Sequence, residues 1–140
     1  MKKVVALLLV LCFLLCGCVS TEPEIDENLI KIEITDYSAK NIDYTVMKLS
    51  KNSVELGDSY TLEFKEGKNW VPVPETGEAF FNMIAYVIYA GEGNSFSEDF
   101  EMRYGTLQNG TYRIVKEVYI WNEDGETCGK QQITAEFEID

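Results

Sequence analysis

Tyr104-Gly105-Thr106-Leu107-Gln108-Asn109-Gly110-Thr111-Tyr112-Arg113-Ile114-Val115-Lys116 is the stretch that decides the fold. Asn109-Gly110 is a strong turn dipeptide, because glycine reaches positive φ without steric cost and asparagine tolerates it. Thr111 to Trp121 then runs through β-branched and aromatic residues and reads as the clearest long strand of the chain. Beyond it, Asn122-Glu123-Asp124-Gly125 begins a hairpin loop. Gln131 to Ile139 returns as a strand, with Ile133, Ala135, Phe137 and Ile139 on one face.

Working upstream, the same texture repeats. Leu29 to Tyr37 alternates, with Ile30, Ile32 and Ile34 opposite Lys31, Glu33 and Thr35. Ile42 to Leu49 places Ile42, Tyr44 and Val46 on a shared face, and Ser59 to Phe64 places Tyr60, Leu62 and Phe64 together. Lys65-Glu66-Gly67-Lys68 turns the chain back into Trp70-Val71-Pro72-Val73, which Pro72 and Pro74 confine to a sheet edge or to irregular extended chain. Ala79 to Ala90 is apolar on both faces, and its β-branched and aromatic content favours a central strand over a buried helix. Phe96 to Tyr104 is acidic, with Phe96, Phe100 and Met102 as expected anchors. No stretch of helical length carries a 3.6-residue apolar period. About seven short strands with turn signals at this spacing imply an all-β sandwich spanning residues 29–140.

Leu107, Gly110 and Tyr112 resemble a tyrosine corner of immunoglobulin-like sandwiches, in which a tyrosine near the start of a strand bonds back to upstream backbone. The wider pattern, Tyr104-Gly105, Leu107, Gly110, then Tyr112 through Lys116, resembles a bacterial immunoglobulin-like domain family of exported, lipid-anchored proteins in Gram-positive bacteria. Leu56 to Glu63 and the Trp70 to Pro74 return are similar to that family as well. The resemblance implies an immunoglobulin-like β-sandwich. It also implies structural roles for Gly57, Tyr60, Trp70, Tyr104, Gly105, Gly110, Tyr112, Arg113 and Lys116, and no catalytic residues. The acidic Ser97 to Glu101 stretch departs from the family, where a tryptophan is expected near the Tyr-Gly pair.

The N-terminus carries an address. Met1-Lys2-Lys3 is a positive n-region, and Val4 to Leu15 is a run of twelve uncharged residues. That run fits a signal h-region and falls short of the roughly 20 residues of a membrane span. Leu15-Cys16-Gly17-Cys18 resembles a lipobox, with cleavage between Gly17 and Cys18 and a diacylglycerol on the Cys18 thiol. The expected organisation is a lipoprotein signal peptide at 1–17, a lipidated tether at 18–28 and one sandwich domain. The anchor places that domain at the outer face of the bacterial cytoplasmic membrane, since a two-chain anchor holds stably.

Cys12 and Cys16 leave with the signal and Cys18 is acylated, so Cys128 is the one thiol left and an intrachain disulfide is excluded. Cys128 sits in an expected turn and reads as an incidental thiol. With Lys2 and Lys3 removed, ten basic residues face 24 acidic ones, a side-chain charge of −14. Such a surface repels nucleic acid and anionic lipid, and it suits solvation, basic partners or cations. The absence of histidine excludes Ser-His-Asp and Cys-His nucleophile systems and most zinc sites.

Trp121, Tyr119 and Arg113 are the candidate binding surface, with Trp70 and Tyr89 as further aromatic candidates. Trp70 is better explained by core packing, and Arg113 by an ion pair with a nearby carboxylate. Glu98-Asp99-Glu101 and Glu123-Asp124-Glu126 are acidic enough to raise the question of calcium but lack the spacing of a calcium loop. No cofactor and no metal site are expected. The function expected is a non-catalytic interaction module with a protein, peptide or cell-wall partner. The alternatives are an accessory sensor or calcium-dependent module of a membrane signalling or wall system, or an enzyme without a recognisable catalytic set.

Overall fold

The computed structural model describes residues 30–49, 51–78 and 80–140. The expected signal peptide, the expected Gly17/Cys18 cleavage and lipidation site and the expected tether lie outside the described residues. Two antiparallel sheets face each other. The first has the order β1 (Ile30–Tyr37), β2 (Asn41–Lys48), β7 (Gly93–Asp99). The second runs β5 (Asn69–Pro72), β4 (Thr61–Glu66), β8 (Gly110–Trp121), β3 (Ser53–Gly57), β6 (Ala85–Ile88), and β9 (Thr127–Ile139) also pairs with β8. One helical turn, α1 (Glu101–Tyr104), links β7 to the corner before β8. The fold is the expected immunoglobulin-like sandwich, with nine strands among the described residues instead of about seven.

β8 organises the second sheet because it is long and apolar on its inward register. Tyr112, Ile114, Lys116, Val118 and Ile120 are buried on that face. β9 pairs along its whole length, from Gly110↔Ile139 to Trp121↔Thr127. Its other edge holds two short strands end to end: β4 against Tyr112–Val115 and β3 against Val118–Trp121. The chain turns between them at Asp58-Ser59-Tyr60. Ile42, Tyr44 and Val46 of β2 close the core from the opposite sheet, against Leu62, Ile114, Val118 and Phe137.

The corner has a definite geometry. The Tyr112 hydroxyl donates to the Gln108 carbonyl at 2.8 Å, and Leu107 is buried with its N–H bonded to Ala39 O at 2.8 Å. Gly110 has φ 150°, and a Cβ there would stand 2.3 Å from the Phe64 ring. Only glycine combines that φ with so close an aromatic neighbour.

Several strand expectations are corrected. Ala79 to Ala90 is not a central strand: among its described residues only Ala85–Ile88 forms a strand, and it lies at the sheet edge against β3. Phe80, Phe81, Met83 and Ile84 precede it outside any strand and are exposed. An apolar run cannot by itself distinguish a buried strand from an exposed apolar surface. Ser53–Gly57 is a separate strand from Thr61–Glu66. Phe96 and Phe100 anchor in the core as expected, but Met102 points outward from α1 with 67% exposure. Cys128 lies in β9, beyond the turn, and is exposed.

Candidate functional site

A cleft of about 430 Å³ opens where the edge of the first sheet, β7, passes the end of the second. Its walls come from four places: Asp58 and Tyr60 of the turn between β3 and β4, the residues Glu78, Phe80, Phe81 and Asn82, Tyr86 of β6, and β7 with α1. Apolar and acidic groups converge there. Phe80 stands at its mouth with 78% exposure, beside Phe81 and Met102, while Asp58, Glu78, Glu98 and Asp99 supply carboxylates.

Arg103 builds one wall. The residue is 8% exposed, and its guanidinium donates to the Tyr60 carbonyl and, at 2.6 Å, to Glu75. It also lies 4.9 Å from the Phe81 ring centroid and 5.0 Å from that of Tyr104, within cation–π range. The Glu75 carboxyl is held below its ordinary range by the hydrogen bond from Arg103. The Arg103 carbonyl in turn accepts the N–H groups of Thr76 (2.8 Å) and Gly77 (3.2 Å). One residue thus clamps the 75–78 segment, and so the apolar run after it, onto α1.

Beneath the cleft lies a polar brace between the sheets. Lys116 of β8 is 1% exposed, and its Nζ sits 3.7 Å from Glu98 Oε1 of β7 and 3.3 Å from the Asp58 carbonyl. The ammonium also lies over the Phe96 ring at 4.8 Å and the Tyr44 ring at 5.6 Å. Tyr44 donates its hydroxyl to Glu98 Oε1 at 2.7 Å. Burial lowers the Lys116 ammonium pKa, opposed by the charges of Glu98 and Asp58. Burial raises the Glu98 carboxyl, opposed by Tyr44 and Lys116. The Tyr44 phenol is pushed up, first by burial and then by the Glu98 charge.

The sequence-derived surface candidates are elsewhere. Arg113, Tyr119 and Trp121 all lie on the outward register of β8, but they do not form one patch. Arg113 and Tyr119 are six residues apart on one strand, roughly 20 Å. Arg113 pairs with Glu63 at 2.5 Å and covers the Trp70 ring at 4.6 Å. Trp70 is therefore half-buried under two cations, Arg113 and Lys65, on the outer sheet face, not packed in the core. Tyr119 donates to Glu117 at 2.9 Å and lies under Lys130 at 5.7 Å. Trp121 is half-buried, and its indole Nε1 is buried without a hydrogen-bond partner among the described residues. Tyr89 is exposed beside the Gly91 turn.

The acidic clusters resolve into separate partnerships. Glu98 serves the brace, Asp99 Oδ1 accepts the Glu101 N–H at 2.8 Å, and Glu101 pairs with Lys40 at 2.7 Å. Among the described residues no three acidic or cysteine side chains are grouped as metal ligands. A larger groove of about 550 Å³ runs between β1 and β9, but its cations, Lys31 and Lys130, are already paired with Glu33 and Glu117.

Sequence reasoning missed Arg103 and the exposed apolar run. Arg103 is one of two arginines in the chain and directly precedes the Tyr104-Gly105 pair that marks the corner. That position was the available signal.

The bacterial Ig-like domain family matches residues 24–138, well over half of the chain. With the two-sheet topology and the tyrosine corner in place, this defines the class: the chain belongs to the bacterial Ig-like domain family. Domains of this family are usually non-catalytic. A search among curated proteins finds no match.

Proposed function

We propose that this chain is a lipid-anchored interaction module that holds a protein or peptide partner in the Asp58–Arg103 cleft, at the outer face of the cytoplasmic membrane. The observation that carries the reading is the exposed apolar pair Phe80 and Phe81, together with Met102, lining a walled cleft. Apolar side chains gathered on a surface and rimmed by polar groups mark contact sites on soluble domains. The Arg103 clamp supports it further, because it holds that pair in a fixed place instead of leaving it to collapse into the core. The lipobox-like Leu15-Cys16-Gly17-Cys18 supports the anchor, which would hold the cleft close to membrane-associated partners.

The test is crosslinking in intact cells with the anchored protein, comparing wild type with Phe80→Ser and with Tyr119→Ser on the outer face of β8. A partner that is lost with Phe80→Ser and kept with Tyr119→Ser supports the cleft. A partner that survives Phe80→Ser and is lost with Tyr119→Ser moves the site to the outer sheet face and overturns the reading.

A further inference from the structure

We propose that the cleft takes a basic, amphipathic peptide segment, with a lysine or arginine side chain set among the cleft carboxylates and an apolar neighbour on Phe80 and Met102. This inference rests on the cleft being the binding site and assigns the chemistry of its occupant. Three of the lining carboxylates, Asp58, Glu78 and Asp99, enter no ion pair among the described residues. The two cations at hand are engaged already: Arg103 with Glu75, and Lys116 with Glu98 from beneath. The wall therefore keeps a surplus of negative charge within one concave surface, where low-dielectric walls strengthen its field.

A second observation is independent of that charge. Phe80 and Met102 line the same cleft with their apolar side chains largely exposed. A free metal cation or a simple amine would answer the carboxylates but leave these apolar groups in water. An anionic lipid would cover the apolar groups but meet the carboxylates with like charge. A basic peptide with apolar neighbours answers both.

Aromatic rings around the site are suited to such a cation. Of the lining rings, Phe96 faces the Lys116 ammonium, and Tyr60 and Phe81 face the Arg103 guanidinium.

The experiment is calorimetric titration of the full chain in detergent micelles with three capped peptides: alternating lysine and leucine, alternating glutamate and leucine, alternating lysine and serine. The lysine–leucine peptide should bind at least about tenfold more tightly than either of the others, and added salt should weaken it. Asp58→Asn combined with Asp99→Asn should cost it about tenfold, as should Phe80→Ser, while Tyr119→Ser should leave it unchanged. Equal binding of the basic and acidic peptides, or binding indifferent to the cleft variants, overturns the inference. A cellular partner that crosslinks through the cleft but is not displaced by the lysine–leucine peptide overturns the ligand chemistry alone and leaves the cleft as the binding site. A partner indifferent to Phe80→Ser removes both.

Discussion

Lys116 occupies a position that strand alternation alone would give to an apolar side chain, between Ile114 and Val118 on the inward face of β8. That it points inward was legible from the period of two. Its partner was not, because Glu98 comes from the other sheet and pairing across a sandwich leaves no mark in local sequence. The acidic stretch around Glu98, where the family pattern leads one to expect tryptophan, has a physical role here: one of its carboxylates neutralises a buried ammonium. Breaking such a pair strands a charge, whereas replacing both members with uncharged groups is often neutral or stabilising. Glu98→Gln and Lys116→Met should each destabilise by about 3 kcal/mol, and the double variant should recover most of that loss in urea denaturation. The pH dependence follows from the shifts. Glu98 titrates higher in the folded chain, so stability falls as pH rises above the ordinary carboxylate range. Lys116 titrates lower in the folded chain, so stability rises as pH climbs from its lowered value toward the ordinary 10.5. The double variant should lack both slopes. Single variants that add without coupling would show that the brace is not a pair.

At the scale of elements, the readable parts were those whose residues act on their own backbone. Pro72 and Pro74 lack a ladder donor, and β5 does lie at the sheet edge. Gly110 answers to its φ and to Phe64, and the alternation of β1, β2 and β9 fixes their inward faces. The apolar run from Phe80 to Ile84, read as part of a central strand, was misread because the placement of Glu75 to Gly77 before it depends on a contact distant in sequence, the carbonyl and side chain of Arg103. Gly77 is what allows that contact. A Cβ on it would stand 2.1 Å from the Met102 carbonyl oxygen, a backbone atom that cannot swing aside. Gly77→Ala should therefore lift the segment off α1, break the two bonds to Arg103 O and destabilise by about 2 kcal/mol. Hydrogen exchange should report faster opening at Thr76 and Gly77, with the Tyr112 corner unaffected. Unchanged protection at Thr76 would mean that the clamp does not depend on this close approach.

For the whole molecule in the proposed lipid-anchored form, the surface charge and the single remaining thiol act together. Cys128 is the one cysteine among the described residues and it is free, so the cross-sheet contacts of Lys116, Tyr44 and the aromatic core brace the two sheets. A strongly acidic body has no electrostatic reason to stay at an anionic membrane, so retention there would have to come from the proposed lipid. A tether of about ten residues reaches at most roughly 30 Å. It would keep the cleft near the bilayer while like charge holds the body off the headgroups. Cys18→Ala removes the acceptor thiol. The variant should lose incorporation of labelled fatty acid, persist as the longer precursor or appear in the medium, and leave the fold of the domain intact by circular dichroism. Cell fractionation with metabolic fatty-acid labelling reads each of these. A Cys18→Ala protein that is still labelled, still processed and still recovered with membranes would mean that the anchor is some other part of the chain.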